Sequence, residues 1–200
     1  MISENFVILG ALISFIGSMS YVRDVLKGKA KPNRATWFLW ALAPMIAFSA
    51  ELDSGVGLRS LMTFMVGFNP ALIFIASFIN KQAYWKLTRL DYICAVLSLI
   101  GLGLWLASGE GNVAIIFAIV ADGLAAVPTL VKSFKYPETE NYHAFLGGLI
   151  SSVLALLTID IWSLAHWGFP LYILVINTIF VVFIRGRVGL ITGKKTAVAK

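Results

Sequence analysis

Charge is scarce in this chain. Of its 200 residues, 13% are Asp, Glu, Lys or Arg, against roughly 25% in an ordinary soluble domain. Cysteine is scarcer: Cys94 is the single one and sits in an apolar run, which excludes an internal disulfide. Histidine occurs twice, as His143 and His166, on segments that end at opposite membrane faces, so no metal site is expected. There is no phosphate-cradling loop, no Ser/His/Asp set at one depth and no pair of carboxylates on one helix face. Neither an enzyme, an ATP-driven pump nor a cofactor is therefore expected. The residues before the first apolar run, Met1 to Glu4, include no lysine or arginine, which argues against a cleaved signal peptide.

What the chain does have is apolar sequence: 59% of residues are hydrophobic and the mean hydropathy is +0.86. Seven runs of about 17–25 residues are long enough for helices that cross a hydrocarbon core of about 30 Å. They are Asn5–Val22, Arg34–Ala50, Leu58–Asn80, Leu90–Ser108, Asn112–Val131, Tyr142–Ile159 and Leu164–Ile184. Barrel strands would instead give short alternating segments. If the amino terminus lies outside, 15 of the 16 basic residues fall in cytoplasmic connections and only Arg59 falls outside. The positive-inside rule then fixes the orientation as N-out and C-in, in a plasma or bacterial inner membrane. The net charge of +6 thereby serves topology, and no nucleic-acid partner is expected. The expected partners are the lipid bilayer and a small polar solute, with an oligomer possible.

The chain also repeats itself. A shift of 105 residues superposes Lys27 on Lys132, Pro32 on Pro137 and Trp37 on Tyr142, and roughly overlays the first three runs on the last three. The fourth run is left over. An odd linker helix makes two triplets run in the same direction across the membrane, related by an axis along its normal. The expected fold is thus an all-α integral membrane protein with seven transmembrane helices, arranged as two parallel three-helix bundles joined by a linker helix (3+1+3). Residues 1–80 form the first bundle, 81–110 the linker helix with its loops, 111–185 the second bundle, and 186–200 a basic cytoplasmic tail.

This layout, with a basic proline-containing loop after the first helix of each triplet, resembles the PQ-loop/SWEET superfamily, which includes SWEET sugar transporters and bacterial nicotinamide riboside transporters. The best local match is Pro128-Thr129 followed by Lys132 and Lys135, similar to the family's Pro-Thr/Pro-Gln element; no Pro-Gln dipeptide occurs, and the first helix offers Ser20-Tyr21 at that place. The resemblance implies a transporter with a midplane site between the bundles, and cavity asparagines on the third helix of each triplet.

Polar residues at depth supply the candidates. Asp122 lies about ten residues into its run, where an acid costs roughly 2.5–3.5 kcal/mol to insert. It either serves a solute or proton, or pairs with a neighbour for packing. Asn69 and Asn177 are amides near mid-depth, able to donate and accept to a solute, or else to bond a neighbouring helix. Trp37 and Trp40, like Tyr142 and Phe145, share a helix face at a spacing of three. They either stack on a solute or form the interfacial aromatic belt. Pro44, Pro70 and Pro128 break helical hydrogen bonds and are the expected hinges, with Pro170 a further interruption. The function expected is facilitative or ion-coupled transport of a sugar or vitamin-like nucleoside; the alternative is a receptor or assembly subunit of the same fold.

Overall fold

The computed structural model describes residues 3–53, 58, 60–108, 111–159 and 162–187. Arg59, Asp160 and most of the basic tail, positions on which the orientation partly rests, lie outside the described residues. Each apolar run is a helix: α1 Phe6–Leu26, α2 Arg34–Asp53, α3 Ser60–Ile79, α4 Arg89–Ser108, α5 Gly111–Lys135, α6 Tyr142–Leu157 and α7 Leu164–Val181. The described residues contain no strand.

The helix ends follow from local chemistry. Gly28 takes φ +72° just past α1, a conformation that costs glycine little, and its N–H closes on the Val25 carbonyl. Asn33 accepts the backbone N–H groups of Ala35 and Thr36 at the start of α2. Asn141 accepts from His143 N–H at the start of α6. Ahead of α4, the Asp91 carboxylate accepts both the N–H and the hydroxyl of Thr88 at 2.5 Å, the reach-back half of a capping box.

Four helical segments are long and apolar enough to cross a membrane: Phe6–Leu26, Ser60–Ile79, Ile115–Lys135 and His166–Gly186. α6, at 16 residues, reaches only about 24 Å at 1.5 Å per residue. Large apolar side chains stand on the outside, among them Ile16, Ile79, Tyr92 and Trp162, each more than 60% exposed. A water-soluble monomer rarely tolerates so much outward apolar surface, whereas lipid accommodates it. The protein is a helical membrane protein.

The helices pack in a regular pattern. α3 packs against both α1 and α2, and α7 against both α5 and α6; α1 meets α6, and α2 meets α5. α4 lies against α5 and α2. The α1–α6 seam is close because glycine lines it: a Cβ on Gly17 would fall onto the His143 carbonyl oxygen, and one on Gly147 would come within 3.0 Å of Ser14 Cα. Small residues let helix backbones approach where lipid gives no hydrophobic push.

The two Asn caps also expose an offset in the repeat. Asn33 and Asn141 stand 108 residues apart, while Pro32 and Pro137 stand 105 apart. The second connection holds an extra 3-10 turn, Pro137–Thr139, between its proline and its cap. The proline frame therefore does not carry over into the helices that follow. In the helix frame Trp37 corresponds to Phe145 and not to Tyr142, and Asn69 corresponds to Asn177.

Candidate functional site

A cavity of about 520 Å³ lies between α1, α2, α3, α5, α6 and α7. It extends from Val7, Thr158 and His166, near one set of helix ends, to Trp37, Phe145 and Phe180 near the other. The second set belongs to the end where the lysine-rich connections gather. Lys31 N–H donates to the Thr139 carbonyl at 2.9 Å, so the connections after α1 and α5 lie on the same end.

Polar groups from α1, α3, α5 and α7 line this cavity. Asn69 on α3 donates from Nδ2 to Ser14 Oγ on α1 at 3.0 Å. The Ser14 hydroxyl donates in turn to the Ala11 carbonyl. Gly147 abuts Ser14, and a Cβ on the adjacent Gly148 would lie 3.0 Å from Asn177 Nδ2. Asn177 donates to the Ile173 carbonyl one turn back on α7. Across the cavity, Tyr172 on α7 donates its hydroxyl to Asp122 Oδ2 at 2.6 Å. Trp40 donates its indole N–H to the Asp122 backbone carbonyl. Asp122 thus has a donor and also lines the cavity.

The sequence-derived candidates divide accordingly. Asp122, Asn69, Asn177, Trp40 and Trp37 all line the cavity. Trp37 is 3% exposed and packs inside the aromatic cluster, so it belongs to the interior and not to an interfacial belt. Tyr142 is not among the lining residues: it stacks on His143, with the Arg185 guanidinium 5.3 Å from its ring. Its displacement follows from the 3-10 turn, which shifts Phe145 into the place that Tyr142 was expected to take. Of the expected hinges, Pro44 and Pro70 line the cavity; Pro128 sits within α5, off the lining.

The lysine-rich end is closed by two layers. The first is aromatic. Phe145 and Phe180 stack at 4.2 Å, Trp40 meets Phe180 edge-on at 5.7 Å, and Tyr21 meets Trp37 at 4.9 Å. The second is polar. Lys132 and Glu140 form an ion pair at 2.6 Å, with side chains 1% and 0% exposed. The Tyr21 hydroxyl donates to the same carboxylate, Lys132 donates to the Lys31 carbonyl, and the Lys132 ammonium stands 4.8 Å from the centre of the Trp85 ring. Asn141 adds a bond to Asp24 at 2.6 Å, and Asn33 bonds Asp91. Sequence reading missed this cluster because its members sit at helix ends and in the short connections between them, where charge is ordinarily solvated. Tyr172 was missed because a tyrosine in an apolar run reads as filler; the signal was its need for a buried partner for its hydroxyl. The described residues contain no group of His, Cys, Asp or Glu able to hold a metal ion. No protein family, no curated protein and no solved structure matches this chain.

Proposed function

We propose that the protein carries a small polar solute across a membrane by alternating access between two three-helix bundles, α1–α3 and α5–α7, with α4 as linker. The observation that carries this reading is the cavity. It is lined from both triplets by a carboxylate and two amides among other residues, and ends on an aromatic floor backed by a buried ion pair. A scaffold gains nothing from such polar groups at depth, since each costs free energy unless paired. Volumes of about 300–1,000 Å³ are typical of small-molecule sites.

The packing pattern supports the 3+1+3 arrangement. Exchanging α1, α2 and α3 for α5, α6 and α7 leaves the main helix contacts unchanged: α1–α6 becomes α5–α2, and α3 and α7 each sit against the other two helices of their own triplet. The PQ-loop/SWEET resemblance implies the same layout. In this reading all seven helices span a plasma or inner membrane, with the lysine-rich end in the cytoplasm. The solute enters from the opposite side, and breaking the floor releases it inward. No nucleotide motif is present, so transport is facilitative or coupled to an ion.

Proteoliposomes test the reading. A panel of labelled sugars, nucleosides and small amines is offered to vesicles with and without the protein. At least one solute is expected to equilibrate saturably and only with the protein present, and Asp122→Asn is expected to abolish that uptake. Solute binding without any uptake would instead support a receptor of this architecture.

A further inference from the structure

We propose that the cavity selects a cationic amine carried on an apolar body, with the ammonium group held by Asp122. The inference rests on reading this cavity as the solute site, and it names the class of solute.

Charge comes first. Among the described residues, Asp122 and His166 are the only ordinarily titrating side chains on the lining, and no lysine or arginine is among them. Lys132 lies beyond the aromatic floor and is already neutralised by Glu140. His166 stands at the far end, engaged with Ser163 at 2.7 Å. An anionic solute would thus meet a carboxylate with no opposing cation. A cation would meet an uncompensated one, in a place where pairing replaces lost hydration.

Hydrogen-bond polarity points the same way. Asn69, Asn177, Tyr172 and Trp40 each direct a donor at a protein acceptor, on Ser14, Ile173, the Asp122 carboxylate and the Asp122 carbonyl respectively, while the Trp37 indole N–H is buried without a partner in the aromatic cluster at the floor. The amide orientations are forced. The Ser14 proton is committed to the Ala11 carbonyl, so Asn69 must present its NH₂ to Ser14. A backbone carbonyl can only accept, so Asn177 must present its NH₂ to Ile173. Asp122 Oδ1 and Asn177 Oδ1 are left as acceptors on the lining, while Asn69 Oδ1 is buried without a partner. An ammonium group has donors and no acceptor, which is the complement of this set. Apart from serine and threonine hydroxyls and His166, the rest of the lining is apolar or aromatic, with the rings of Trp40 and Phe180 5.7 Å apart at the floor. Such faces attract cations and bury the carbon skeleton that carries them.

Three probes of one shape test this: phenethylamine, phenethyl alcohol and phenylacetate, titrated calorimetrically into purified protein in detergent. The amine is expected to bind most tightly, the alcohol about tenfold or more weaker, and the acid not measurably. Asp122→Asn should bring the amine down to the level of the alcohol. Asp122→Ser, which installs the residue that α1 carries at its corresponding position, should do the same. The probe series in the unaltered protein keeps the test decisive even if both variants fold poorly. An alcohol or acid that binds as tightly as the amine overturns the proposal, as does amine affinity that survives in folded Asp122 variants, or no binding by any of the three. Amine binding without uptake in proteoliposomes would sink the transport reading and leave this one standing; uptake of a sugar with no amine binding would do the reverse.

Discussion

In the proposed 3+1+3 arrangement Ser14 on α1 corresponds to Asp122 on α5, 108 residues further along the chain. Trp40 on α2 corresponds in the same way to Gly148 on α6, and Asp24 at the end of α1 to Lys132 at the end of α5. The two triplets pack alike and differ in chemistry. The first supplies bulk and neutral polarity: Trp40 on the floor, and Asn69 bonded to Ser14. The second supplies charge and room: Asp122 with its Tyr172 donor, and Gly148, where the Asn177 amide fits against backbone. Under the proposed reading, equivalent helices are needed only to enclose a cavity, and recognition of an asymmetric solute is free to concentrate on one side.

The contrast is sharpest at the lysine-rich end. Glu140→Ala leaves the Lys132 ammonium and the Tyr21 hydroxyl buried without their shared acceptor. Removing one partner of a buried pair costs about 3–5 kcal/mol, so the largest drop in thermal unfolding temperature is expected here. Asp24→Asn alters the corresponding position in the first triplet, where the carboxylate is half-buried and bonded to Asn141, and should cost well under half as much. Equal losses would mean that the two ends of the repeat are anchored alike.

A middle-sized effect separates the two helix seams. Gly17 allows α1 to touch α6, and any Cβ there meets the His143 carbonyl. Gly17→Ala should cost about 1–3 kcal/mol as an overpacking change. The corresponding residue on α5 is Ala125, already accommodated, with Thr36 donating to its carbonyl at 2.8 Å. Ala125→Gly should cost only about 1 kcal/mol, the helix penalty of glycine. A harmless Gly17→Ala would show that the α1–α6 seam is looser than described. The smallest effect is expected among the polar groups of the cavity. Asn69→Leu removes one interhelical hydrogen bond, worth about 0.6 kcal/mol on average in membrane proteins, yet it should weaken solute binding.

Much of this was legible in the sequence. The helices were, because hydrocarbon demands long apolar runs and the charged residues between them mark the ends. Asp122, Asn69 and Asn177 were, because polarity at depth is costly and so stands out. The proline spacing of 105 is legible in the sequence, but the Pro137–Thr139 turn that follows the second proline is not, and Phe145 rather than Tyr142 lines the cavity. The Lys132–Glu140–Tyr21 cluster was not legible, because nothing in a short polar connection distinguishes a charge that folds inward from one that faces water. Tyr172 was hidden for a related reason. Its partner lies 50 residues away on another helix, and only packing brings the two together.

The central claim is that both sides of the membrane reach the cavity in turn. Ser151 lines the cavity, and Ser151→Cys in a Cys94→Ser background gives a single thiol inside it. Lys135→Cys and Trp162→Cys, both exposed at opposite ends, serve as sidedness markers in the same background. The measurement is the rate of labelling by an impermeant maleimide in right-side-out and inverted vesicles. Lys135→Cys should react only from the cytoplasmic face and Trp162→Cys only from the outer face. Ser151→Cys should react quickly from outside, more slowly from the cytoplasmic face, and more slowly from both when solute is bound. Labelling of Ser151→Cys from one face only, unchanged by solute, would contradict alternating access.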